Sequence, residues 1–147
     1  MERSEAFRTS IEYFCDNEFA TDIFVRKYAL TDASGDVKEP TPTEMHRRLA
    51  REFARIEAKY PNPMSEGKIF SLFDRFGFVI PQGSPMSGIG NPYQIQSLSN
   101  CFVIESPVDS YGGIMKTDQE MVQLMKRRGG VGFDVSMLRP KGFVVRN

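Results

Sequence analysis

The chain has 147 residues, 40% apolar and 26% charged, with 19 basic residues balanced by 19 acidic ones. That length supports one ordinary domain with a sizeable core. Zero formal charge gives no field to draw in nucleic acid or an anionic membrane, so small molecules or proteins are the expected partners.

The first half reads as helices. Phe7, Ile11 and Phe14 repeat at helical spacing, Asp16 and Asn17 interrupt the run, and Phe19, Ile23, Phe24 and Tyr28 form a second apolar stripe. Cys15 lies on the first stripe and reads as core. The stretch TDASGDVKEP is a turn by its content. Thr41 as N-cap, Pro42 at the first helical position and Glu44 three after the cap then open a well-marked helix. Met45, Leu49, Phe53 and Ile56 form its inward stripe, and His46, flanked by Arg47 and Arg48, is expected at the surface. Ile69, Leu72, Phe73 and Phe76 predict another helix, with Gly77 placed to stop it. Residues 1–80 are therefore expected to form a helical domain.

The character changes after that. VIPQGSPMSGIGNPYQ is dense in proline and glycine and reads as a structured loop. SLSNCFVIES is a strand candidate and SPVDSYGG a turn. Thr117 with Glu120 offers a second capping box, opening a helix that carries Met121, Leu124 and Met125. Lys126, Arg127 and Arg128 suit its last turn, Gly129 its left-handed stop, and VGFDVSML resumes a strand. Strand, helix, strand is a βαβ pattern, the unit of an α/β sheet or barrel.

Two features carry candidate chemistry. In strand geometry Cys101 shares a face with Ser97, Ser99 and Val103, opposite Leu98, Asn100, Phe102 and Ile104. From pattern alone it is either a small core hydrophobe or a thiol at a strand end. The run KRRGGVGFD matches neither a GxGxxG fingerprint nor a Walker loop. Its glycines are either a helix stop or a place where backbone amides approach a ligand. Two distant cysteines make no disulfide framework, and no Cys/His cluster predicts a metal site. MERSEAFRTS lacks a hydrophobic signal core and no apolar run approaches spanning length, so the cytoplasm is the expected compartment and no membrane the expectation.

Taken together, YPNPMSEGKIF, VIPQGSPMSGIGN, SLSNCFVI, DSYGGIMKT and KRRGGVGFDVSMLRPKG, in this order, resemble the start of a ribonucleotide reductase catalytic subunit. The likeness is greatest to the adenosylcobalamin-dependent class II branch acting on ribonucleoside diphosphates, and the iron-dependent class I large subunit is the close alternative. The resemblance implies an α+β chain: a helical N-terminal domain, then over 81–147 the first strands and helix of a ten-stranded α/β barrel, incomplete here. It implies an oxidoreductase that makes deoxyribonucleotides for DNA by radical chemistry with a redox cysteine pair.

By motif match Cys101 is the N-terminal member of that pair, and Ser84 lies near the substrate phosphates or ribose. Asn100, where many members carry serine or alanine, contributes backbone contact to substrate, as do Gly129 and Gly130. Asp109, Ser110 and Arg139 match the specificity site for a deoxynucleoside triphosphate effector. Adenosylcobalamin is the implied cofactor, its contacts falling outside this sequence. The implied partners are the rest of the catalytic subunit, a thioredoxin-type reductant and a second copy in a homodimer. The family's chemistry needs more thiols than the two present, so the chain is expected to be part of an enzyme: a split-gene product, an intein-interrupted half or a truncated product. The alternative function is a non-catalytic nucleotide-binding or interaction module derived from the same fold.

Overall fold

The computed structural model describes residues 1–144. They form two compact units, Met1–Leu98 and a second that begins at Ser99.

The first unit contains α1 (Arg3–Ser10), α2 (Glu18–Lys27), α3 (Pro42–Glu57), α4 (Glu66–Phe73) with a 3-10 turn at Asp74–Phe76, and α5 (Gly83–Gly88). Side-chain caps set several starts. Asn17 accepts the Ala20 N–H at 3.0 Å, and Ser65 accepts that of Lys68 at 3.3 Å. At α3 the predicted capping box is present: Glu44 accepts the Thr41 N–H at 3.0 Å, and the Thr41 hydroxyl donates to the same carboxylate. The apolar face of α3 (Met45, Leu49, Ala50) closes on Ala6, Phe24, Val25, Val37, Ile69 and Phe73. Each fully buried large side chain there contributes about 1.5–3 kcal/mol.

Several expectations change in this unit. His46 is 0% exposed, because α3 turns it toward Phe73 and Phe76. Cys15 is exposed, because it sits at φ 51° in the turn between α1 and α2, beyond the end of the first helix. Phe19 and Phe53 also lie on outer faces, at 78% and 40% exposure. The stop after α4 is made by Arg75 and Phe76, at φ 51° and 55°, while Gly77 keeps a right-handed φ of −70°.

The proline- and glycine-rich stretch packs with the helices rather than opening the second unit. Arg48, nearly buried, forms a two-pronged pair with Glu39 at 2.7 and 3.0 Å. Its remaining donors reach the carbonyls of Met86, at 2.7 Å, and Ile89. Ser84 and Ser87 are buried beside them. The break between units consequently falls at 98/99, against the 80/81 division expected from composition.

The second unit is a βαβ unit: β1 (Cys101–Val103), α6 (Tyr111–Met125) and β2 (Gly130–Gly132). The strands pair in parallel, with Cys101 opposite Gly130, Phe102 opposite Val131 and Val103 opposite Gly132. Mixed helix and strand with a two-stranded parallel sheet is consistent with part of a barrel. The helix starts earlier than predicted. Ser110 is its N-cap, accepting the Gly113 N–H at 3.0 Å, and Thr117 is buried within the helix instead of opening it. The glycines that read as a turn belong to the first helical turn, where a Cβ on Gly113 would run into the Val108 backbone. Nor is Gly129 the left-handed stop: Arg128 takes that conformation at φ 68°.

Candidate functional site

Cys101 opens β1 and is exposed. Strand alternation sends Phe102 to the other face, under the end of α6, where a Cβ on Gly129 would stand 2.8 and 2.9 Å from Phe102 ring carbons. Cys101 and Val103 face away from that packing, both exposed, as the sequence alternation predicts. An exposed thiol at a strand end is open to thiol–disulfide exchange, which a sealed core cysteine is not.

Asn100 and Gly130 meet at the same end of the strand pair. The Gly130 N–H donates to the Asn100 carbonyl at 2.6 Å, and the Gly129 N–H to that of Leu124 at 3.1 Å. Both glycine amides are thus committed, so they offer a ligand a surface without side chains rather than donors. A Cβ on Gly130 would stand 3.1 Å from the Asn100 carbonyl oxygen, so tight strand pairing also favours glycine there. Four of the five residues expected at the substrate (Asn100, Cys101, Gly129 and Gly130) are therefore gathered at one edge. The fifth, Ser84, is buried in α5 of the first unit.

The three residues expected at the effector site come together. Arg139 Nε lies 3.0 and 2.8 Å from the two Asp109 carboxylate oxygens, and Nη2 lies 3.3 Å from the Asp109 carbonyl. This fork fixes the segment after β2 against the start of α6. Asp109, Ser110, Tyr111, Ile114, Leu138 and Arg139 line a cavity of about 410 Å³, within the usual range for a small ligand, about 300–1,000 Å³. Charge at one wall and apolar side chains at the other suit a ligand with an anionic end and a flat, weakly polar end. Tyr111, Ile114 and Leu138 were not anticipated. Tyr111 and Ile114 follow Asp109 on the first turn of α6, a signal hidden once that segment is read as a turn.

Among the described residues no group of three His, Cys, Asp or Glu is placed to hold a metal ion, and no helix is long and apolar enough to cross a membrane.

Residues 99–147 match the family model "Ribonucleotide reductase, barrel domain". The matched stretch begins where the second compact unit begins. The match covers about a third of the chain and is to the barrel domain alone. No curated protein matches the chain.

Proposed function

We propose that this chain contributes to a ribonucleotide reductase catalytic subunit that reduces ribonucleoside diphosphates. The barrel-domain match carries this reading, because it spans the unit that exposes Cys101 and gathers Asp109, Ser110 and Arg139 at one cavity. In the overall reaction a ribonucleotide loses its 2′-hydroxyl as water while two thiols become one disulfide, which balances two electrons and two protons. Cys101 supplies one thiol of that pair. The other, and the thiol that forms the radical, come from the rest of the catalytic subunit, and a thioredoxin-type reductant restores the pair. Asn100, Gly129 and Gly130 let the substrate approach β1, and the helical unit precedes the start of the barrel.

A deoxynucleoside triphosphate occupies the Asp109–Arg139 cavity. Arg139 supplies a charge-assisted donor fork and Asp109 an acceptor. Tyr111, Met115, Val122 and Met125 form an exposed stripe on α6, which supports assembly of two copies through that helix. Adenosylcobalamin is the cofactor that the resemblance implies, with its contacts outside this sequence. No step here runs through that cofactor, and the class II branch rests on the resemblance.

The test is reductase activity of the assembled catalytic subunit containing this chain. Deoxyribonucleoside diphosphate should form from the ribonucleotide with a dithiol reductant. A folded, nucleotide-binding assembly that forms none, with adenosylcobalamin or with a metal-carrying partner subunit, contradicts the proposal.

A further inference from the structure

The helical core holds a titratable group in an unusual setting. His46 is 0% exposed, and neither Nδ1 nor Nε2 has a hydrogen-bond partner among the described residues. Phe73 stacks on the imidazole at 6.2 Å between centroids, and Phe76 stands edge-on to it at 4.6 Å. A buried imidazole hydrogen that donates to nothing is costly, and a buried imidazolium without a partner is more so.

The cover over this ring is itself strained. Phe76 and its neighbour Arg75 are both left-handed, at φ 55° and 51°, a region that side chains other than glycine, Asn and Asp occupy at a cost. Two amides just beyond, Phe78 and Val79, hold the turn closed by donating to the Leu72 carbonyl at 3.3 and 2.9 Å.

Among the described residues the surrounding charges leave one counter-ion. Asp74, in the same turn, is the charged group acting on the ring. The nearby cations are engaged elsewhere: Arg75 stands over the Tyr13 ring at 5.9 Å, Arg47 over Phe70 at 5.8 Å, and Arg48 is paired with Glu39. Tyr13, on the turn after α1, responds to the same Asp74 and Arg75 and is itself half-buried.

We propose that His46 and the Asp74–Phe76 turn form an acid-released latch on the helical unit. Neutral His46 stays under Phe76. When it takes up a proton, the ring needs water or Asp74, and the strained turn opens to supply them. Burial lowers the affinity of His46 for a proton, and Asp74 opposes this only in part. The sign follows. Below the ordinary histidine value of about 6.5 the unfolded chain binds a proton that the closed unit refuses. Stability is complete above that pH and falls as pH drops toward the folded value.

The chain's single histidine makes the test direct, because it gives one imidazole Cε1–H resonance. In the full chain that resonance should titrate clearly below the ordinary value. As pH falls through the window between the two values, the unfolding constant from denaturant melts should rise, by at most about tenfold per pH unit. The Phe78 and Val79 amides should lose protection first on acidification, after correction for intrinsic exchange. His46→Phe should remove the added slope. Asp74→Asn, which leaves the core untouched, should move the titration lower still. A resonance titrating at the ordinary value, a slope that survives in His46→Phe, or an Asp74→Asn titration identical to wild type overturns the latch. Should His46→Phe fail to fold, the wild-type resonance and Asp74→Asn still decide the matter.

Discussion

Arg139 and Asp109 lie 30 positions apart and meet through both carboxylate oxygens, with Arg139 Nε 3.0 and 2.8 Å away. The contact joins the segment after β2 to the residue before the N-cap of α6 and forms one wall of the cavity proposed for the effector. Both side chains are more than a third exposed, so the ion pair itself is worth under about 1 kcal/mol of stability. Removing Arg139 should therefore hurt binding more than folding. Arg139→Ala is expected to weaken deoxynucleoside triphosphate binding by about 1.5–3 kcal/mol, the range for a lost hydrogen bond to a charged group. Equilibrium binding to the assembled protein, beside a denaturant melt, separates the two effects. Unchanged affinity would remove Arg139 from the site.

Gly129 should tolerate no side chain while Phe102 keeps its place. An added Cβ would stand 2.8 and 2.9 Å from two Phe102 ring carbons and 3.2 Å from the Leu124 carbonyl oxygen. Gly129→Ala is expected to destabilise the second unit by about 1–3 kcal/mol, as overpacking does. Phe102→Ala in the same chain should make the two losses less than additive. Gly132→Ala is the control, since among the described residues nothing lies within 4 Å of its Cβ position. Denaturant melts of the four chains measure the coupling, and additive losses would show that the Gly129–Phe102 contact is not what excludes a side chain.

The Glu39–Arg48 pair ties α3 to the Ser84 segment. Arg48→Met leaves a buried Glu39 carboxylate and two carbonyls without donors, and removing one partner of a buried pair costs about 3–5 kcal/mol. The amides of α5 should exchange faster in that variant than those of α1. Equal protection in both helices would mean that Arg48 does not hold the segment.

How much of this was legible follows from the kind of signal each residue gives. Thr41 and Glu44 announce α3 because a capping box is local chemistry. The parallel βαβ unit is visible because a helical stretch separates two short apolar runs. His46 was misplaced because Arg47 and Arg48 beside it look like a solvated face, whereas Arg48 folds inward onto Glu39. The start of α6 was hidden because glycine is usually a turn residue, and the close approach of Val108 to Gly113 depends on tertiary structure. At the candidate site, Asp109 and Arg139 declare charge, but their contact is a long-range relation that no local pattern contains.

Cys101 decides most about function. It is exposed at the start of β1, opposite Gly130, and serine there is nearly isosteric but cannot form a disulfide or deliver electrons. The decisive measurement is multiple turnover of ribonucleoside diphosphate by the assembled catalytic subunit carrying Cys101→Ser, with nucleotide binding and unfolding measured on the same sample. A redox thiol predicts that turnover is abolished while binding and fold persist, and that in the wild type Cys101 cycles into a disulfide while Cys15 stays reduced. A Cys101→Ser enzyme that turns over at the wild-type rate would contradict the redox assignment.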